Sequence, residues 1–427
     1  MKLVSVARRR GRDLNLARVY PSPRLCDIAE SWAMSQRARD AELEKQWPPF
    51  SLLDSPSRED FLVRHVCEPH GIARTNIKDA YPLHDNQKIT IENNKWVFAH
   101  FRIDESLDLD HIIDSWIQVV RQHDILRTVL VSNGQSFFAA VLHSFDWKIE
   151  RLTGAGEAGV KEIVREDGTT RPQPGTPLGK VMVIQDVERQ VVTVVVKMSH
   201  IIWDGYCLAL FWEDWKSAYE TGIVPFRLQF QDILCSRKFI QDRDQSVRYW
   251  ENLLADALIL DLPIDASGST GLSAQLEQHK LERTRDGIVA PPGMILDSLI
   301  KAAWAVTLAV ITGQADIIFF QISSGRRLGG AKMENAAGPL LGIFPLRVTL
   351  NSEWRADELC RFLQDQDTHS IPHEIIDVDE LWEMTDWEDD APFSMVDHVK
   401  GGIESYLTLD GVDFGRCFSG TGNYLRG

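Results

Sequence analysis

The stretch Val191–Tyr219, VVTVVVKMSHIIWDGYCLALFWEDWKSAY, changes its period once, and that change leaves few folds open. Val191–Val196 is a β-branched run of the kind that forms a buried strand. After Gly205 the apolar residues Leu208, Phe211, Trp212, Trp215 and Tyr219 recur at helical steps. A strand must therefore hand over to an amphipathic helix through the tight turn Ser199–Gly205. Side chains alternate along a strand, so Ser199 and His200 are expected on opposite faces, an arrangement unsuited to a nucleophile and its base. His200 is read alone, as a general base. Asp204 is expected to fold back and fix the turn, and Gly205 to supply backbone geometry that a Cβ would resist.

The chain's 427 residues suggest two or three compact units. The formal net charge of −16 is spread along the chain, which argues against nucleic acid, since that partner needs a basic footprint. The cluster Arg8-Arg9-Arg10 is too short to change this. Six cysteines stand scattered without CxxC spacing, so neither a zinc site nor a redox dithiol is indicated, and a reducing compartment is expected. No apolar run reaches the roughly 18 residues of a membrane helix, and the N-terminus lacks the apolar core of a signal peptide. The expectation is a cytoplasmic protein without a membrane or a metal.

Outside the central stretch, a strand is predicted at Trp96–Arg102 and a helix at Leu109–Gln122, with Ile112, Ile113, Trp116, Val119 and Val120 on one face. His123 follows at the helix end, where a cation suits the dipole. Further on, a strand is predicted at Leu276–Leu281, a long helix at Ile295–Thr312 capped by Gly313, and a buried strand in ADIIFFQISSGRR.

Several of these segments resemble one family. SHIIWDG, Ser199–Gly205, is similar to the SHxxxDG variant of the HHxxxDG motif of nonribosomal peptide synthetase condensation domains. Tyr81, Pro82, Leu83 and Gln87 match that family's opening motif, and His123–Thr128 is similar to its RHxxLRT, with Gln122 for the first Arg. Asp316, Phe319, Ser324, Gly325 and Arg326 match DVxfG…SGR, and Gly338–Val348 resembles GplxNtlPlRv with Gly342 for Asn. RYWENLLAD resembles the segment before the lobe boundary, and Pro392–His398 a later strand. In residues 1–34, Arg24, Leu25, Ile28 and Ala29 resemble the closing stretch of a peptidyl carrier domain.

The resemblance implies an α/β fold of α+β two-layer sandwiches: two chloramphenicol acetyltransferase-like lobes forming a V around a central cleft. It implies a carrier remnant at 1–34, a linker at 35–74, an N-terminal lobe at 75–258, an inter-lobe linker at 259–272 and a C-terminal lobe at 273–427. That second lobe reads as truncated, since family members continue past its last matched strand. The implied reaction joins a carrier-bound acyl thioester donor to a carrier-bound acceptor through an amide or ester bond. His200 and the Gly205 N–H are the catalytic groups, supported by Asp204, Arg127 and Ser199; Arg127 pairs with Asp204 in this reading. No cofactor binds directly, because phosphopantetheine arms arrive on peptidyl carrier domains, in cis or in trans. The SHxxxDGY form, with Tyr206, further resembles fungal terminal domains that release peptides by cyclisation. Two alternatives stand beside this: an acyl-CoA-dependent acyltransferase of the BAHD group, whose DFGWG motif Asp413-Phe414-Gly415 echoes until Arg416 and Cys417 break it, and an inactive fragment or carrier-docking module.

Overall fold

The computed structural model describes residues 47–260, 262, 290–387, 394–397, 408–409, 412–413 and 416–420, apart from 54–57, 85–86, 89, 92–95, 104–105, 146, 155, 241–242, 291–293, 328–332, 375 and 377. The expected carrier remnant, the strand at 276–281 and most of the inter-lobe linker lie outside the described residues. The chain divides into two compact units; the first holds 39–239, 332–340 and 400–427, and the second includes 240–331 and 341–399.

The first unit begins with β1 (Ile77–Pro82), β2 (Trp96–Ile103), helix α1 (Leu109–Gln122), β3 (Thr128–Ser132), β4 (Phe137–Leu142) and β5 (Lys148–Thr153). Helix α2 (Gly156–Gly168), β6 (Gly179–Asp186), β7 (Val191–Ser199), α3 (Gly205–Thr221), β8 (Leu228–Gln229) and α4 (Phe230–Ile240) follow. Here β2, β7, β6 and β5 form one sheet in that order, and β1, β4 and β3 another. Only β5 and β6 of these run parallel, and α2 makes the crossover that a parallel pair requires. Both β2 and the second half of β7 are buried on both faces, which is why their runs are apolar rather than alternating.

Helix α1 starts at Asp108, whose carboxylate accepts from the Asp110 and His111 N–H groups. Its predicted apolar face is the one that is buried, and it packs on α3. Trp215 of α3 anchors that packing by donating to the Ile112 carbonyl at 3.0 Å and the Ser115 hydroxyl at 3.1 Å. Phe101 of β2 meets the Trp215 ring edge-on at 5.1 Å, so sheet and helices share one aromatic core.

Three features differ from the sequence expectation. Residues 58–70, read as linker, are helical, and their Leu62 and Val66 pack with Ile77, Val129 and Ala140. His123 is fully buried and bonded through Nε2 to Asp214 at 2.8 Å; Asp214 is itself gripped by Arg227. The nearby carboxylate, more than a helix dipole, accounts for it. The third feature is the C-terminal part assigned wholly to the second lobe.

The second unit consists of α5 (Arg243–Leu254), α6 (Leu296–Thr312) and β9 (Asp316–Ser323); the chain then contributes β10 (Ala336–Ala337) to the first unit, beside β8. It resumes with β11 (Gly342–Thr349), α7 (Ala356–Ser370) and β12 (Met395–Val396). The sheet order is β11-β9-β12, with α6 packed on β9 and α7. Gly313 ends α6 with φ 71°, the left-handed cap the sequence suggested. Short strands β13 (Thr408–Leu409) and β14 (Val412–Asp413) pair with each other, and β15 (Arg416–Gly420) joins the first unit's large sheet beside β2. The C-terminal stretch thus extends the N-terminal sheet.

Two family-matched residues explain each other in the second unit. Arg347 grips Asp316 through Nη2 at 2.7 Å and Nε at 3.1 Å, and its Nη1 reaches the Leu253 and Ala255 carbonyls at 3.0 and 2.6 Å. The bidentate pair ties β11 to β9 and to the end of α5. The Arg347 guanidinium holds the Asp316 carboxyl below its ordinary pKa. A carboxylate depressed on folding stabilises above its unfolded value of about 3.9 and loses that contribution as pH falls through its native value. Asp316→Asn should therefore lower stability at pH 7 by up to ~1 kcal/mol, since the pair is partly solvated. Melting curves of the two proteins should converge as the pH falls through the lowered native value of that carboxyl.

Candidate active site

The Ser199–Gly205 loop is fixed from four directions, all within the first unit. At its start, Ser199 is the last residue of β7, and its N–H donates to the Leu178 carbonyl at 2.8 Å. Ser199 Oγ accepts from the Ile201 N–H at 3.4 Å, and its carbonyl accepts from the Ile202 N–H at 3.1 Å. A hydroxyl this short can turn back on the loop that its own backbone begins. Ile201 and Ile202 are buried and Trp203 is 5% exposed, so three apolar side chains in succession pull the loop into the core. Gln87, wholly buried, donates from Nε2 to the Ile201 carbonyl at 2.9 Å and accepts from the His84 N–H.

At the loop's end Asp204 is the N-cap of α3. Its Oδ1 accepts from the Cys207 N–H at 2.7 Å, while the Asp204 N–H meets Cys207 Sγ at 3.1 Å. Its Oδ2 accepts from the Leu340 N–H at 2.8 Å. Asp204 is 1% exposed, so a carboxylate there needs such donors. Leu340 belongs to the GPLLG stretch, matched by sequence but given no role. Gly338 makes that contact possible: its φ is 151°, and a Cβ there would stand 2.3 Å from Cδ2 of the fully buried Phe230. Gly338→Ala is expected to displace the Leu340 N–H from Asp204 and to cost about 2–4 kcal/mol. Urea unfolding of the two proteins gives the measurement.

His200 stands just past the end of β7, in the turn itself, so strand alternation does not set its direction. It is half-buried where Ser199 is buried, and its ring stacks on Trp203 with centroids 4.3 Å apart and planes at 25°. Two expectations are corrected here. Arg127 does not pair with Asp204; its guanidinium donates to the Asp124 carboxylate and to the Leu142 and His143 carbonyls. The cause is local: Asp124–Arg127 forms a 3-10 turn, which places an acid three residues before the arginine on the same side. Gly205 has no positive φ; it opens α3 in ordinary helical backbone, and the freedom of glycine is not called upon.

Chemically, the loop presents one imidazole at the N-terminus of a helix. The cap uses the Cys207 N–H, and Leu208 donates to the Asp204 carbonyl at 3.0 Å. The N–H of Gly205, first in the helix, has no acceptor within the helix and points along the positive end of its dipole.

Comparison with known proteins identifies the family. The family profile described as Condensation domain matches residues 79–406. Nonribosomal peptide synthetase 1 of Aspergillus fumigatus is 28% identical over 97% of this chain but only 7% of its own length. Nonribosomal peptide synthetase sidD of the same organism is 27% identical over 91% of this chain and 18% of its own. Among solved structures, one called holo T3CT has a TM-score of 0.70 at 22% identity, covering 87% of this chain and 86% of that one. The starter condensation domain of rhizomide synthetase, solved with C8-CoA, has a TM-score of 0.61 at 17% identity, covering 80% and 82%. The fold is that of condensation domains, the chloramphenicol acetyltransferase-like one. The chain belongs to the condensation-domain family, the amide-bond-forming acyltransferase domains of nonribosomal peptide synthetases. It spans less than a fifth of the two curated relatives named here. Among the described residues no helix is long and apolar enough to cross a membrane.

Proposed function

We propose that this chain joins a carrier-bound acyl thioester to the amine or hydroxyl of a second carrier-bound substrate, with His200 as the base. His200 takes the proton as the acceptor's nitrogen or oxygen attacks the thioester carbonyl. The Gly205 N–H receives the oxyanion of the tetrahedral intermediate. Collapse breaks the carbon–sulfur bond, and the phosphopantetheine thiolate leaves with the proton from His200. Ser199 and Asp204 hold the loop from its two ends, and Arg127 braces the start of β3. The observation that carries the reading is the loop itself: between two buried anchors, His200 is the titratable side chain left half-exposed at a helix N-terminus.

The arms arrive on peptidyl carrier domains, and residues 1–34 are read as the tail of one. The alignment with a synthetase over 97% of the chain supports shared ancestry for that segment as well. Serine before the histidine and Tyr206 after Gly205 favour a terminal, cyclising role. A cytoplasmic setting follows from the reducing chemistry that thioester-bearing thiols need. Competition between donors tests the proposal. Carrier-bound acyl thioester should be consumed and free acyl-CoA ignored, because remote carrier contacts supply the energy that orients the reacting centre. Equal use of free acyl-CoA would overturn the carrier requirement and favour a BAHD-like activity.

A further inference from the structure

Trp203 sits between His200 and Asp204, and its indole nitrogen gives the fold nothing. Other buried tryptophans anchor carbonyls: Trp215 that of Ile112, Trp147 that of Leu126, Trp250 that of His373. Trp203 is 5% exposed, yet its buried Nε1 makes no hydrogen bond among the described residues. Trp116 shares that lack, but it lies in a cluster with three other indoles, whereas Trp203 lies against His200. Burying a donor without an acceptor is unfavourable, and leucine or phenylalanine would fill the space without doing so. What the indole supplies beyond either is its stronger π face. That face is stacked on the His200 ring at 4.3 Å and 25°.

An imidazole rotates about χ2 in a broad two-fold well, so a half-buried histidine keeps its nitrogens aimed only if something fixes its plane. An indole face is also the strongest side-chain π surface for a cation within about 6 Å. We propose that Trp203 is a positioning residue for condensation: it sets the plane of His200 and stabilises the imidazolium formed when His200 takes the acceptor's proton. The inference rests on the reading of His200 as the base.

The test uses the full chain with acyl-loaded carrier partners in single-turnover assays. Trp203→Leu should lower the rate at saturating substrate about 10-fold with apparent affinity nearly unchanged, and Trp203→Phe, with a weaker π face, about 3-fold. Site-specific fluorinated tryptophans at 203 keep the shape and withdraw π density, so the rate should fall stepwise with each added fluorine. In a His200→Ala background Trp203→Leu should have no further effect. The inference is overturned if the fluorinated series reacts at the unsubstituted rate. It is also overturned if Trp203→Leu slows the His200→Ala protein as much as the parent. Should Trp203→Leu fail to fold, the isosteric fluorinated series still decides. Full turnover by His200→Ala alone would instead refute the base assignment, a result separable from both.

Discussion

His200→Ala is expected to lower single-turnover condensation of a carrier-bound donor by 10²- to 10⁴-fold, the range for loss of a positioned base. The loss should fall on the rate and not on carrier binding, since the carrier is recognised away from the reacting atoms. Stability should change little. His200 is half-buried, and its ring stack with Trp203, which the substitution removes, is a contact worth ~1 kcal/mol. A residual rate above the uncatalysed one is also expected. The Gly205 N–H at the start of α3 and the orientation of the two arms remain in place. Quenched-flow measurement with matched melting curves checks both halves. A variant that keeps more than about a tenth of the parent rate would show that the base lies elsewhere, or that orientation alone carries the reaction.

The parts of this site that could be read from sequence are those whose cause is local. The change of period at Gly205 gives β7 and α3, because a buried strand and an amphipathic helix impose different spacings on adjacent residues. Asp204 could be expected to close the turn, since a short acidic side chain before a helix caps it. What was not legible is the set of partners that come from far along the chain. Gln87 reaches Ile201 from 114 residues away, and Leu340 reaches Asp204 from 136. Both lay in segments matched by resemblance, but spacing assigns no partner to a backbone carbonyl or N–H. Arg127 shows the opposite failure. A distant acid was expected for it, and the nearby Asp124 took its place because a 3-10 turn puts residues three apart on one side. The strand β15 escaped for a third reason: five residues beside a sheet edge carry too little pattern to announce their partner.

Asp204→Ala should cost both stability and turnover. The carboxylate satisfies two buried donors, the N–H of Cys207 at 2.7 Å and that of Leu340 at 2.8 Å. Alanine leaves both unsatisfied, at about 1–3 kcal/mol each, with the loss of the helix cap included in the first. A destabilisation of about 2–6 kcal/mol is therefore expected. Turnover should fall as well, because the same two bonds fix the end of the loop from which His200 and the Gly205 N–H are aimed. Asp204→Asn separates the contributions. Its amide keeps one acceptor oxygen and turns a donor toward the other N–H, so one bond survives and one becomes a donor–donor contact. Midpoints of urea unfolding should run parent, Asp204→Asn, Asp204→Ala, in descending order, with activity following the same order. An Asp204→Ala protein that unfolds like its parent while losing activity would contradict this account. It would mean that the carboxylate acts on the reacting groups, and that the Leu340 and Cys207 donors find other acceptors when it is gone.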